Sequence, residues 1–173
     1  MALPSTYQVR NCSLARALEV VGERWTLMII RDAFFGVRRF SDFATQLGIP
    51  RAVLTSRLKS LVDEGVLAHD EGEYHLTDKG IALWPIVRSM MAWGDDHYSP
   101  NGVKRALRHA FDGGLIDARG FCQECGGLVP VPEIRHEPGP GYVRSQAEPD
   151  PVSMAMNGPR LLLEPITKVP ATS

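Results

Sequence analysis

The stretch FSDFATQLGIPRAVLTSRLKSLVDEG, residues 40–65, decides the fold. It opens with Phe40, Phe43, Ala44 and Leu47 at i, i+3, i+4 and i+7, one apolar face of a short helix. Gly48-Ile49-Pro50 then breaks the chain tightly. Proline suits the opening turn of a helix, where its missing N–H would be unpaired in any case. A second helix is predicted from Arg51 to about Glu64, with Leu54, Leu58, Leu61 and Val62 inward and Gly65 as its stop. Two short helices joined by a tight glycine-containing turn read as a helix-turn-helix.

Upstream, Leu14, Ala17, Leu18 and Val21 share a helix face between Ser13 as N-cap and Gly22 as stop. A further helix is predicted over Trp25 to Phe35, with Leu27, Ile30 and Phe34 inward and Gly36 ending it. Downstream, Val66 to His69 and Glu73 to Leu76 read as short strands joined by Asp70-Glu71-Gly72, a hairpin turn. Thr77 then caps a long helix to about His97, which Pro85 should kink near Ile81, whose carbonyl loses a donor. The fold class is therefore mainly α with a small β-hairpin wing, a winged helix-turn-helix.

Ten of the thirteen prolines lie from Pro100 onward, so the chain is expected to divide there. The expected units are a winged helix-turn-helix domain over 1–99, a small Cys-x-x-Cys module over 100–142, and a Pro-rich, poorly ordered tail over 143–173. Hydrophobic residues make up 44% and charged residues 23%, values of a soluble globular protein. No apolar run is long enough to span a membrane, and Met1 to Arg10 does not resemble a secretory signal. Three cysteines, an odd number, do not make a disulfide framework, which favours a reducing cytoplasm.

A net charge of −1 argues against DNA binding unless positive charge is concentrated. It is concentrated: Arg38, Arg39, Arg51, Arg57 and Lys59 face a single acid, Asp42, over residues 38–59. From Ser60 to Asp78 there are six acids and no Lys or Arg, so the two signs are segregated along the chain.

The motifs Cys12 to Leu18, Gly22 to Leu27, Arg38 to Phe43, Leu54 to Leu61, Glu64-Gly65, Tyr74 to Gly80 and Ala92-Trp93 closely resemble, in order and spacing, the HxlR-type branch of the MarR-like winged-helix regulators. The resemblance implies a homodimeric DNA-binding transcriptional regulator, expected to be a repressor acting on a palindromic operator. Arg51, Thr55 and Lys59, four residues apart, would share the major-groove face of the second helix of the pair. Arg57, Arg38 and Arg39 would meet phosphate, and Ser41 would present helix N-terminal N–H groups to it. Each such residue also reads as an ordinary solvated side chain. The wing departs from the usual pattern: Asp70, Glu71 and Glu73 would be repelled by phosphate, so it either stands off DNA or meets something else.

The first and long helices carry more apolar residues than a small winged core can bury, and a two-fold dimer through them would cover the surplus; packing of Trp84, Met90 and Met91 within one chain is the alternative. The resemblance makes Cys12 a regulatory candidate, a redox or electrophile sensor at a helix N-terminus with Arg10 and Arg16 nearby; a small buried hydrophobe is the other reading. A small-molecule effector is the further expected partner.

Cys122-Gln123-Glu124-Cys125-Gly126 is half of a zinc knuckle. Upstream, His109-Ala110-Phe111-Asp112-Gly113 stands where some family members carry His-x-x-Cys-Gly. A zinc site from Cys122, Cys125, Asp112 and His109, with His136 as another candidate, a degenerate ribbon without metal, and a redox cysteine pair are all open at this point. No hydrolase, metalloprotease or phosphate-loop motif occurs, so no enzyme is expected, and Asp95-Asp96-His97 reads as a solvated helix end. The competing function is a winged helix that binds protein rather than DNA, favoured by the near-neutral charge and acidic wing.

Overall fold

The computed structural model describes residues 11–143 and 150–166. Helices α1 (Ser13–Val21), α2 (Thr26–Phe34), α3 (Phe40–Leu47) and α4 (Arg51–Asp63) precede the hairpin β1 (Leu67–Asp70) and β2 (Glu73–Leu76). The core forms where the periodic apolar faces meet: Ile29, Ile30, Phe34, Phe43, Leu54, Leu58, Leu61 and Leu67 are each no more than 1% exposed. α2 runs through the middle and is buried on most sides, which is why its sequence is nearly continuous in apolar residues. α3 ends on Gly48 in the left-handed region (φ 58°), and Pro50 stands one residue ahead of α4 as its N-cap. Likewise Cys12, not Ser13, is the N-cap of α1.

The hairpin pairs Leu67 with Leu76 and Asp70 with Glu73. Its two central turn residues, Glu71 (φ 51°) and Gly72 (φ 80°), both take positive φ, the tight turn whose twist matches the strands it joins. Thr77 closes the wing. Its Oγ1 donates to the Gly65 carbonyl at 2.7 Å and accepts from the Gly80 N–H at 3.2 Å, satisfying a helix-terminal amide. A Cβ on Gly80 would collide with the Val66 carbonyl oxygen, so the approach of this helix to the strand requires glycine.

The long helix expected after Thr77 is two helices, α5 (Asp78–Ile81) and α6 (Trp84–Tyr98). Pro85 lies in the first turn of α6 rather than mid-helix, so the missing donor produces a break instead of a kink. Trp84 is buried with its ring centroid 4.9 Å from that of Phe34, and therefore serves the intrachain core.

Beyond α6, β3 (Arg105–His109), β4 (Ile134–Pro138) and β5 (Arg160–Leu161) form an antiparallel sheet in that order. A 3-10 turn (Val131–Glu133) leads into β4, and α7 (Pro151–Asn157) precedes β5. Asp150 caps α7 by accepting from the Val152 and Ser153 N–H groups. Part of the expected tail is thus regular structure, and it docks on the winged helix. The Leu163 N–H donates to the Phe34 carbonyl at 2.7 Å and that of Ile166 to Gly36 at 2.9 Å. A Cβ on Gly36 (φ 93°) would strike the Glu164 carbonyl oxygen. One continuous core joins Ile29 and Phe34 with Leu107, Ile116, Ile134, Met156 and Leu162 across the expected boundary at Pro100.

Candidate functional site

α4 buries Leu54, Leu58 and Leu61 and turns Arg51, Thr55 and Lys59 to solvent, the expected division of its faces. Arg51 stands at the helix start with its guanidinium 5.0 Å from the Phe40 ring centroid. It pairs with no carboxylate among the described residues. The Thr55 hydroxyl donates back to the Arg51 carbonyl at 2.9 Å and can still accept. Lys59 pairs with Asp63 one turn on, and Arg57 with Glu23 at 3.2 Å. Exposed pairs of this kind contribute little, about 0–1 kcal/mol, so a phosphate can displace the carboxylate. Ser41 is exposed in the first turn of α3, its hydroxyl donating to Asp42 at 2.9 Å.

The two neighbouring arginines before α3 have opposite fates. Arg39 is exposed and its Nε donates to Glu73 of the wing at 2.9 Å. Arg38 is buried, with Nη2 donating to the Leu163 carbonyl at 2.8 Å. Its guanidinium ties the C-terminal segment to the winged helix. The acids of the wing have a local use: Glu73 neutralises Arg39, and the Tyr74 ring stacks on His69 at 4.2 Å.

Two apolar faces are left to solvent. Leu14 (67%) and Leu18 (41%) stand out from α1, and Met90 (56%) and Trp93 (56%) from α6. Cys12 is exposed at the start of α1, and Arg16 is engaged by Glu19. Arg10, the other nearby cation expected, lies outside the described residues.

In the C-terminal module, His109, Asp112, Cys122 and Cys125 converge, their ligand atoms all within 4.8 Å of one another. His109 Nδ1 is 3.0 Å from Asp112 Oδ2 and 3.7 Å from Cys125 Sγ, while Cys122 Sγ is 3.3 Å from Asp112 Oδ1. The Gly114 N–H, helped by Cys122, His109 and Cys125 against the opposing cost of burial, holds the Asp112 carboxyl down to about 2. His136, the other histidine considered, is elsewhere: it is fully buried in β4, its ring edge-on to Phe35 at 4.6 Å. Burial, then Arg105 and Arg160, push it down to about 3, so it is neutral. Two participants carried no local signal. Glu133 reaches His109 Nε2 at 3.2 Å only because β3 pairs with β4, and Arg38 looks identical in sequence to Arg39.

A helix-turn-helix with an exposed, basic second helix and a hairpin wing defines a winged-helix transcriptional regulator. Residues 20–102 match the model of the HxlR-like helix-turn-helix family. The HTH-type transcriptional regulators Rv3095 of Mycobacterium tuberculosis (strain H37Rv) and Mb3122 of Mycobacterium bovis are each 44% identical over 138 residues, covering 75% of this chain and 87% of theirs. That alignment is longer than the family match, so the likeness extends beyond the winged helix. The solved structure of PA1607, a candidate transcription factor, superposes with a TM-score of 0.59 at 31% identity, covering 82% of this chain and 99% of that one. The chain belongs to the HxlR-like helix-turn-helix family of transcriptional regulators.

Proposed function

We propose that the chain represses transcription as a cytoplasmic homodimer bound to a palindromic operator, without a catalytic step of its own. The observation that carries this is the division of α4: its apolar face is locked in the core while Arg51, Thr55 and Lys59 are presented together on the other. Arg51, at the helix start, would read guanine bidentately, worth about 1–3 kcal/mol of discrimination. Thr55 would meet the adjacent base, and Lys59, Arg57, Arg39 and the α3 N-terminus at Ser41 would hold phosphate. Arg38 is left out of this contact set because its guanidinium is used inside the protein.

The exposed apolar residues of α1 and α6 support a two-fold dimer through those helices, which would set two recognition helices about 34 Å apart. We take residues 1–99 as the DNA-binding and dimerising part and the remainder as a module sharing its core. Cys12, exposed beside the α1 face, is the proposed point at which an electrophile would reach the dimer. Duplexes selected by the full-length protein from genomic DNA test the reading: a common palindrome, bound with log affinity falling linearly in log salt, is expected. Selection of no shared sequence, with binding to a protein target instead, would favour an interaction module.

A further inference from the structure

The convergence of His109, Asp112, Cys122 and Cys125 comes from two loops of the same design. In one, His109-Ala110-Phe111-Asp112 is closed by Gly113 (φ 75°), whose N–H donates to the His109 carbonyl at 2.8 Å. In the other, Cys122-Gln123-Glu124-Cys125 is closed by Gly126 (φ 71°), whose N–H donates to the Cys122 carbonyl at 2.9 Å. Each loop offers its first and fourth side chain to the same point. Gly114 lies against that point so closely that a Cβ would meet Cys122 Sγ.

We propose that these two knuckles bind one zinc ion tetrahedrally through His109 Nδ1, Asp112, Cys122 and Cys125, a site independent of the DNA-binding reading. For bonds of roughly 2.0–2.3 Å, the edges of a tetrahedral ligand set come to about 3.3–3.8 Å. With Asp112 Oδ2 as the single oxygen, its separation from Cys122 Sγ (3.5 Å) and that of His109 Nδ1 from Cys125 Sγ (3.7 Å) fall in that range, its separation from His109 Nδ1 (3.0 Å) is about 0.3 Å short of it, and no pair of ligand atoms is more than 4.8 Å apart. The donor set selects the metal: two thiolates and an imidazole suit zinc, and a single carboxylate oxygen is too few for calcium or magnesium. The histidine is also oriented as a ligand. Its Nδ1 faces the cluster, and its Nε2 lies 3.2 Å from Glu133 Oε2, placed to donate its N–H once Nδ1 is a ligand, the carboxylate support that fixes tautomer and ring angle in histidine metal sites. Binding deprotonates both thiols and releases their protons to solvent. The ion would then cross-link the loops that follow β3 and precede the 3-10 turn, in a segment whose strand-like pairing consists of isolated bridges such as Ile116 with Cys122 and Phe121 with Leu128.

The full-length chain, purified under reducing conditions and passed over a desalting column, should carry about one zinc per chain by elemental mass spectrometry. Alkylation should mark Cys12 at once, and Cys122 and Cys125 only after chelation. The chelated protein should take up Co(II) to give the intense visible bands of a tetrahedral site with thiolate charge transfer. Cys125→Ser, at an exposed position, should lose the ion. Asp112→Cys should bind it more tightly, and Glu133→Gln should keep the stoichiometry at saturation but weaken affinity about 10–100-fold. A protein isolated without zinc whose chelated form binds neither Zn(II) nor Co(II), or a Co(II) spectrum without thiolate bands, would overturn the proposal. Should Cys125→Ser fail to fold, rebinding by the chelated wild-type chain decides alone.

Discussion

Between Ser13 and Tyr98 the chain encloses its core mainly with helix faces, whereas the described residues from Arg105 to Leu162 do so with short strands, turns, the short helix α7 and a four-residue cluster. The first region buries large aliphatic and aromatic side chains at regular spacing, so its stability is hydrophobic and spread over α2, α3 and α4. The second has a three-stranded sheet whose last strand is two residues long, and its inner face includes the buried His136. The second region shares the core through Leu107, Ile116, Ile134, Met156 and Leu162, and adds to it polar positions such as His136 and backbone hydrogen bonds to Phe34 and Gly36.

Leu58→Ala tests the hydrophobic half of this contrast. Leu58 is 1% exposed on the buried side of α4, and its truncation should cost about 2–5 kcal/mol in denaturant unfolding. A loss under about 1 kcal/mol would mean that α4 is not seated as described.

The polar half should respond to pH. His136 is held neutral at about 3, below its ordinary value, by burial and then by Arg105 and Arg160. The unfolded chain takes up a proton near pH 6.5 that the folded chain refuses. The stability is therefore complete above about pH 6.5 and declines as pH falls through the window down to about 3, by up to ~1.4 kcal/mol per pH unit. His136→Leu should remove this component, seen as a shallower fall of unfolding free energy between pH 6.5 and 5 than in the wild type; identical slopes would contradict it.

Thr77→Ala should have the smallest effect. It removes the cap joining the wing to α5 and should cost about 1 kcal/mol, read as a lower midpoint at unchanged denaturant sensitivity.

The same contrast explains what was legible in the sequence. Helix faces repeat over eight or more residues, so α1 to α4 could be read from Leu14, Phe43 and Leu54 with their neighbours, to within a residue or two at the ends. The hairpin was legible from Asp70-Glu71-Gly72. β4 was not: its inward residues are Ile134 and His136, and a histidine in the apolar register hides a two-residue alternation. Pro85 announced an interruption, and its place in the first turn of α6 makes that interruption a break between two helices rather than a kink within one. The metal-ligand candidates were visible as residue types, and their convergence depends on the bridge between Ile116 and Cys122 and the Gln123 N–H bond to the Leu115 carbonyl, which no local pattern encodes. Arg38 and Arg39 show the limit most plainly, adjacent and identical, one facing the wing and one holding the C-terminal segment.

The central claim concerns the exposed face of α4, and one binding comparison addresses it most directly. Anisotropy of a labelled operator duplex should be titrated with wild type, Arg51→Ala/Thr55→Ala and Lys59→Ala across a series of salt concentrations. The double variant should bind operator no better than a scrambled duplex, while Lys59→Ala should keep its sequence preference and lower the salt slope by about 1. Operator preference retained by Arg51→Ala/Thr55→Ala would contradict the claim.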